Sequence, residues 1–147
     1  MTDYTNLTDE QLKPLADADD KDALYETAKR YKANGDLRDA RKFFTFAATL
    51  GQAKACVELG KFYDEEGIND KAVELYLRGY ELGDEDNVAR LAQLMLGFDE
   101  EYAVELLTGS AVSGNADSIV ALEKYYASVG NDKEAKFWKG KRDGKKE

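Results

Sequence analysis

Lys29, Lys61, Gln93 and Lys124 stand at intervals of 32, 32 and 31 residues, and Lys32 lies one helical turn beyond Lys29. Ammonium groups and a carboxamide set in a row are ligands for carboxylates, because each offers several N–H donors and three of the four carry charge. That chemistry needs a fold that brings the four positions onto one face. The competing reading is local. Lysines on a helix pair with acids one turn away, here Glu26, Glu58 and Glu65, and such pairs are worth only a few tenths of a kcal/mol.

Other chemistries find little support. The chain has no His, which excludes imidazole bases, His-dependent triads and His-built zinc sites. Its single Cys, Cys56, falls on an apolar position of a helix and reads as a buried thiol. The acidic runs Asp17-Ala18-Asp19-Asp20-Lys21-Asp22 and Asp84-Glu85-Asp86 lack the Gly and Glu spacing of a calcium loop. Both precede expected helix starts, where carboxylates favour the positive end of the dipole, and Asp99-Glu100-Glu101 reads the same way. Gly140-x3-Gly144-Lys145 is no phosphate loop, and Asn6-Leu7-Thr8 matches a glycosylation acceptor without a secretory signal. No catalytic residue, metal ligand or cofactor is expected.

The elements follow from the glycines. Gly35, Gly51, Gly67, Gly83, Gly97, Gly114 and Gly130 recur at intervals of 14 to 17 residues, with apolar residues at helical spacing between them. A Gly supplies the left-handed residue that ends a helix, and Asp36, Asn69, Asp99 and Asp132 are expected to cap the next one. Helices of about 12–15 residues joined by short turns make antiparallel hairpins. Two helices make a repeat of 31–32 residues, in units of about 21–52, 53–83, 84–114 and 115–147. First helices share Leu24, Cys56, Val88 and Ile119, then Ala28, Gly60, Ala92 and Glu123, then Tyr31, Tyr63, Met95 and Tyr126. Second helices share Ala40, Ala72, Ala103 and Ala135, then Phe43, Leu75, Leu106 and Trp138, then Ala47, Gly79, Ser110 and Arg142. Small residues at fixed places let helix axes approach, and large ones fill the space beside them. Tyr31, Phe43, Phe44, Tyr63, Tyr76 and Tyr126 are assigned to this packing. Polar residues in the last unit (Glu123, Lys139 and Arg142) suit a solvent-facing cap.

Cys56-x2-Leu59-Gly60-x2-Tyr63, followed by Ala72, Tyr76 and Gly79, resembles the tetratricopeptide repeat. The joints Ala47-Ala48-x2-Gly51-x3-Ala55 and Ser110-Ala111-x2-Gly114-Asn115-Ala116 resemble those of Sel1-like repeats, close relatives of it. The resemblance covers roughly residues 21–143 and implies an all-α fold: an α-solenoid, a right-handed superhelix of about four antiparallel hairpins. It also implies a concave groove lined by first helices, holding a peptide or partner segment. Lys29, Lys61, Gln93 and Lys124 would face that groove, with Lys32, Tyr25, Val57 and Asp64 beside them. The expected function is that of a non-catalytic interaction scaffold or adaptor for a protein or peptide with acidic groups. The alternative is an acidic inhibitor or immunity-type protein, holding a basic toxin or effector on the convex face through Asp36, Asp39, Asp70, Glu74, Glu100 and Glu105.

Composition and the ends complete the reading. In 147 residues the net charge is −9, but residues 1–132 carry 14 Lys and Arg against 27 Asp and Glu, a balance of −13. An acidic body argues against nucleic-acid or anionic-membrane binding. The basic stretch 133–147 reads as a solvated helix end. No apolar run is long enough for a membrane span and no signal peptide opens the chain, so a cytoplasmic monomer is expected. Residues 1–20 form a leader outside the repeats. Thr8 and Gln11 make a capping box for a helix at about 8–18, bent or started later by Pro14, with Leu7, Leu12 and Leu15 covering the first hairpin; the alternative is a disordered acidic leader.

Overall fold

The computed structural model describes residues 3–145, which form two compact units divided between Asp84 and Glu85. The first holds a 3-10 turn at Tyr4–Asn6 and helices α1 (Asp9–Asp17), α2 (Lys21–Ala33), α3 (Leu37–Thr49), α4 (Ala53–Glu65) and α5 (Asn69–Glu81). The second holds α6 (Val88–Met95), α7 (Glu100–Val112), α8 (Ala116–Ser128) and α9 (Asp132–Arg142). There is no strand among the described residues. Within each unit every helix packs on the next in the chain, the pattern of stacked hairpins.

The joints are built as expected, with local corrections. Asp20 and Asp99 cap α2 and α7, the latter accepting from Tyr102 N at 3.1 Å. Gln52, Asn115 and Asn131 cap α4, α8 and α9 through their side chains. Asp36 holds the cap position of α3 without a side-chain bond. Asn69 and Asp132 lie one place inside their helices, because the chain turns one residue earlier. The acids Asp84 to Asp86 do not open a helix; α6 starts at Val88, and at 8 residues it is shorter than the 13-residue helices around it. Gly97 is not in the left-handed region, since α6 closes instead through Phe98 N and Asp99 N, both donating to Met95 O.

The core follows the small and large positions. Ala28, Ala40, Phe44, Ala47, Cys56, Ala72, Leu91, Ala92, Ala103 and Leu122 are wholly enclosed. The tightest approach is between α4 and α5. A Cβ added at Gly60 would stand 2.8 Å from the Tyr76 ring, and one at Gly79 would stand 2.7 Å from Val57 Cγ2. Cys56 is enclosed here, and burial pushes its thiol up from the ordinary range, as an inert core thiol requires. In the last hairpin Lys139 is exposed at the position where Phe44, Tyr76 and Leu107 are buried, and Arg142 pairs with Glu123 at 2.6 Å.

The leader packs on the first hairpin as expected, Leu12 buried in its core and Leu7 and Leu15 against it. Thr8 and Gln11 do form the capping box, and α1 runs Asp9–Asp17 with Pro14 inside. Yet α1 also keeps the repeat register. Leu12, Phe44, Tyr76 and Leu107 are all buried at successive intervals of 32, 32 and 31 residues. Asp19, with φ of 58°, stands 32 residues before Gly51, which has φ of 83° and is followed in register by Gly83 and Gly114. An Asp tolerates this left-handed conformation better than most residues. So α1 falls in the register of a second helix, and the 3-10 turn falls in that of Asp36–Arg38, at the entry to α3. Arg30 secures that turn, donating to Leu7 O at 2.7 Å and Tyr4 O at 3.3 Å while pairing with Asp9 at 2.6 Å.

Gly79→Ala is expected to destabilise the fold by about 1–3 kcal/mol, the cost of forcing a stiff Val57 aside outweighing the helical preference of Ala. Gly109→Ala, inside α7 with open space around it, should stabilise by about 1 kcal/mol. Urea unfolding followed by circular dichroism separates the two; shifts of the same sign would show that axis approach is not limiting.

Candidate partner-binding face of the first helices

The first unit brings its predicted lysines to one face but supplies carboxylates with them. Glu58, on α4, accepts from Lys32 Nζ of α2 at 2.7 Å and from Lys61 Nζ at 2.8 Å. Glu26 takes Lys29 at 2.7 Å and Arg30 Nε at 3.1 Å, while the Lys29 ammonium stands 4.9 Å from the centre of the Tyr25 ring. Burial would raise the Glu58 carboxyl, but hydrogen bonds from Lys32 and Lys61 outweigh it and hold the group below its ordinary range. This face is therefore a lattice of paired charges. Glu65, the third acid expected to pair locally, is exposed.

Two members of the predicted set are placed differently. Val57 is only 4% exposed and packs toward Gly79, so it belongs to the core and offers no surface to a partner. The reason is that α4 packs on both α3 and α5, which widens its buried arc to take in Ala55, Cys56, Val57, Leu59 and Gly60. Asp64 accepts a hydrogen bond from the Tyr76 hydroxyl at 3.1 Å, tying α4 to α5.

The second unit lacks those acids. The positions of Glu26 and Glu58 are taken by Arg90 and Ala121. Arg90 Nη1 donates to Gln93 Oε1 at 2.8 Å, and the exposed Lys124 has no hydrogen bond or ion pair among the described residues. Both predicted residues line one cleft of about 500 Å³ between α6 and α8, together with Asn87, Arg90, Tyr125 and Ser128. Asp86 and Asp117 lie on the same lining. Tyr125 donates its hydroxyl to Glu100 of α7, and that bond, with burial and the nearby negative charge, pushes the phenol up to about 12. Tyr125 thus stays a neutral wall of the cleft throughout the physiological range.

Sequence reasoning missed Arg30, Arg41 and the double role of Glu58. Arg41 pairs with Glu66 at 2.5 Å and stands 4.6 Å from the centre of the Tyr63 ring, joining α3 to α4. The available signal was the interval: Lys32 to Glu58 and Arg41 to Glu66 are separated by 26 and 25 residues, which places the partners on neighbouring helices of successive hairpins. Among the described residues no group of three His, Cys, Asp or Glu is arranged to hold a metal ion, and no helix is long and apolar enough to cross a membrane.

Because the folded Glu58 carboxyl is held below its unfolded value, its ion pairs contribute stability above the ordinary carboxylate range and lose it as pH falls through the folded value. Glu58→Gln should cost roughly 0.5–1 kcal/mol at pH 7 and flatten the loss of stability between about pH 5 and pH 3. Parallel acid-titrated urea melts of the two proteins measure this; identical pH slopes would remove Glu58 from the account.

No family model matches the sequence, and no curated protein does. The structure is similar to the crystal structure of a Sel1 repeat protein from Oxalobacter formigenes, with a TM-score of 0.71 and 26% sequence identity over 92% of this chain. This chain spans 63% of the length of that one. The chain is therefore an all-α solenoid of helical repeats, similar in structure to a Sel1 repeat protein.

Proposed function

We propose that the chain is a non-catalytic protein-interaction scaffold, and that its first helices seat a partner segment carrying a carboxylate. The observation that supports this is Lys124, a cation without an anion, on the lining of the α6–α8 cleft beside Gln93. Gln93 gives its amide oxygen to Arg90 and keeps its N–H groups for a ligand. In the first unit Lys29, Lys32 and Lys61 are committed to Glu26 and Glu58, so the charge available to a partner lies in the second. Asp86 and Asp117 would repel a uniformly anionic segment, so the reading is of an isolated carboxylate flanked by neutral or basic residues. A preformed helical face binds such a segment with little ordering cost on the protein side. A cytoplasmic monomer, with its Cys56 thiol kept reduced, completes the proposal.

A second reading is favoured by one observation. Asp36, Asp70 and Glu105 on the second helices and their turns are exposed and carry no ion pair among the described residues. They would steer a basic toxin or effector to an inhibitor or immunity-type protein.

The test is photo-crosslinking in lysate of the source cells from a reactive residue at Gln93 or at Glu74. A partner captured from position 93, lost about tenfold (~1.4 kcal/mol) on Lys124→Glu with helicity unchanged, supports the groove reading. Capture from position 74 alone, abolished by salt, supports the second reading, and capture from neither overturns both.

A further inference from the structure

A second cleft lies wholly within the first unit. One repeat along, Arg41 provides a template for it. Its guanidinium donates to Glu66 at 2.5 and 3.3 Å and lies 4.6 Å from the centre of the Tyr63 ring, bridging the start of α3 and the end of α4. Moved back by one 32-residue period, Arg41, Tyr63 and Glu66 become Asp9, Tyr31 and Asn34. The ring is kept, and it stacks on Phe43 with centroids 5.3 Å apart and an interplanar angle of 13°. The guanidinium is not. Asp9 turns instead to Arg30, at 2.6 Å.

The equivalent place is a cleft of about 440 Å³ between α1 and α2, with Thr27, Tyr31, Asn34 and Phe43 on its lining. Its charged members cancel in pairs: Asp9 with Arg30 at 2.6 Å, Asp17 with Lys13 at 2.8 Å. The Asn34 side chain, on the exposed C-cap of α2, has no hydrogen bond among the described residues. Around the cleft the leader is strongly acidic: residues 3–20 hold Asp3, Asp9, Glu10, Asp17, Asp19 and Asp20 against Lys13 alone.

We propose that this cleft receives one arginine side chain of a partner protein. The guanidinium stacks on Tyr31 as Arg41 does on Tyr63, and donates to the Asn34 carboxamide oxygen where Arg41 meets Glu66. A planar, weakly hydrated guanidinium suits an aromatic floor better than an ammonium does, and the acidic leader favours its approach. The site does not depend on the α6–α8 cleft, and Lys124→Glu leaves it intact.

The test titrates N-acetyl-arginine amide into the isotopically labelled full chain, followed by amide chemical shifts. Saturable shifts are expected at Thr27, Tyr31 and Asn34, with N-acetyl-lysine amide binding about threefold more weakly. Asn34→Glu restores the residue found at position 66 and should tighten arginine binding about threefold to tenfold. Tyr31→Leu should abolish it; should that variant unfold, the exposed Asn34→Glu and Asn34→Lys pair decides the matter alone, the first tightening and the second weakening. Shifts that are absent, that do not saturate, or that are the same for both probes and both position-34 variants overturn the proposal.

Discussion

The closeness with which two helix axes can approach governs this protein. Gly60 lies under the Tyr76 ring and Gly79 under Val57, so α4 and α5 meet at places where even a methyl group would collide. The same positions hold Ala28 and Ala47 in the first hairpin, and Ala92 and Ser110 in the third. Packed that closely, ridges of one helix reach the grooves of the other, and the large residues on either side close the remaining space. Ser110 shows the cost of placing a polar atom there: its hydroxyl is buried and is satisfied by Ser118 across the joint at 3.0 Å. Trp138, in the last hairpin, is the buried side chain whose N–H finds no such partner among the described residues.

Close axes also bring the polar edges of successive hairpins within reach of each other. In the first unit that reach is used for cohesion. Lys32 crosses from α2 to Glu58 on α4, Arg41 crosses from α3 to the end of α4, and Gln52 Nε2 donates to Asp22 at 3.3 Å. None of these half-exposed contacts is worth much alone. Together they tie successive hairpins of the first unit at their polar edges. The second unit has Arg90 and Ala121 in place of the linking acids, and there a cleft stands between the first helices.

What was legible in the sequence was whatever depends on period alone. The alternation of small and large residues announces hairpins, and the glycines announce their joints. The fate of individual side chains depends on how many neighbours a helix has. Val57 looks like a surface neighbour of Cys56 in a helix packed on one side, but α4 is packed on two. The lysine row was visible, but its neutralisation was only half visible. Glu58 as a local partner of Lys61 follows from helix spacing, whereas Glu58 as a partner of Lys32 requires knowing that the end of α2 comes within a lysine's reach of α4. The short α6 was hidden for another reason: acids before a helix favour its start but do not determine it, and here Asp84 and Glu85 stay irregular and Asp86 and Asn87 form a turn before α6 begins.

The left-handed Asp19, in register with Gly51, Gly83 and Gly114, has a bearing on how such a chain changes length. Within each unit the joints at Asp19, Gly51 and Gly114 share one form, each left-handed residue standing two places before the next helix. Gain or loss of one whole period at a joint leaves every remaining helix facing its usual kind of neighbour. A single inserted residue within a helix turns everything after it by about 100° and exposes half of a buried stripe. The architecture is therefore tolerant of large duplications and intolerant of small ones, and its length is free to vary only in whole repeats.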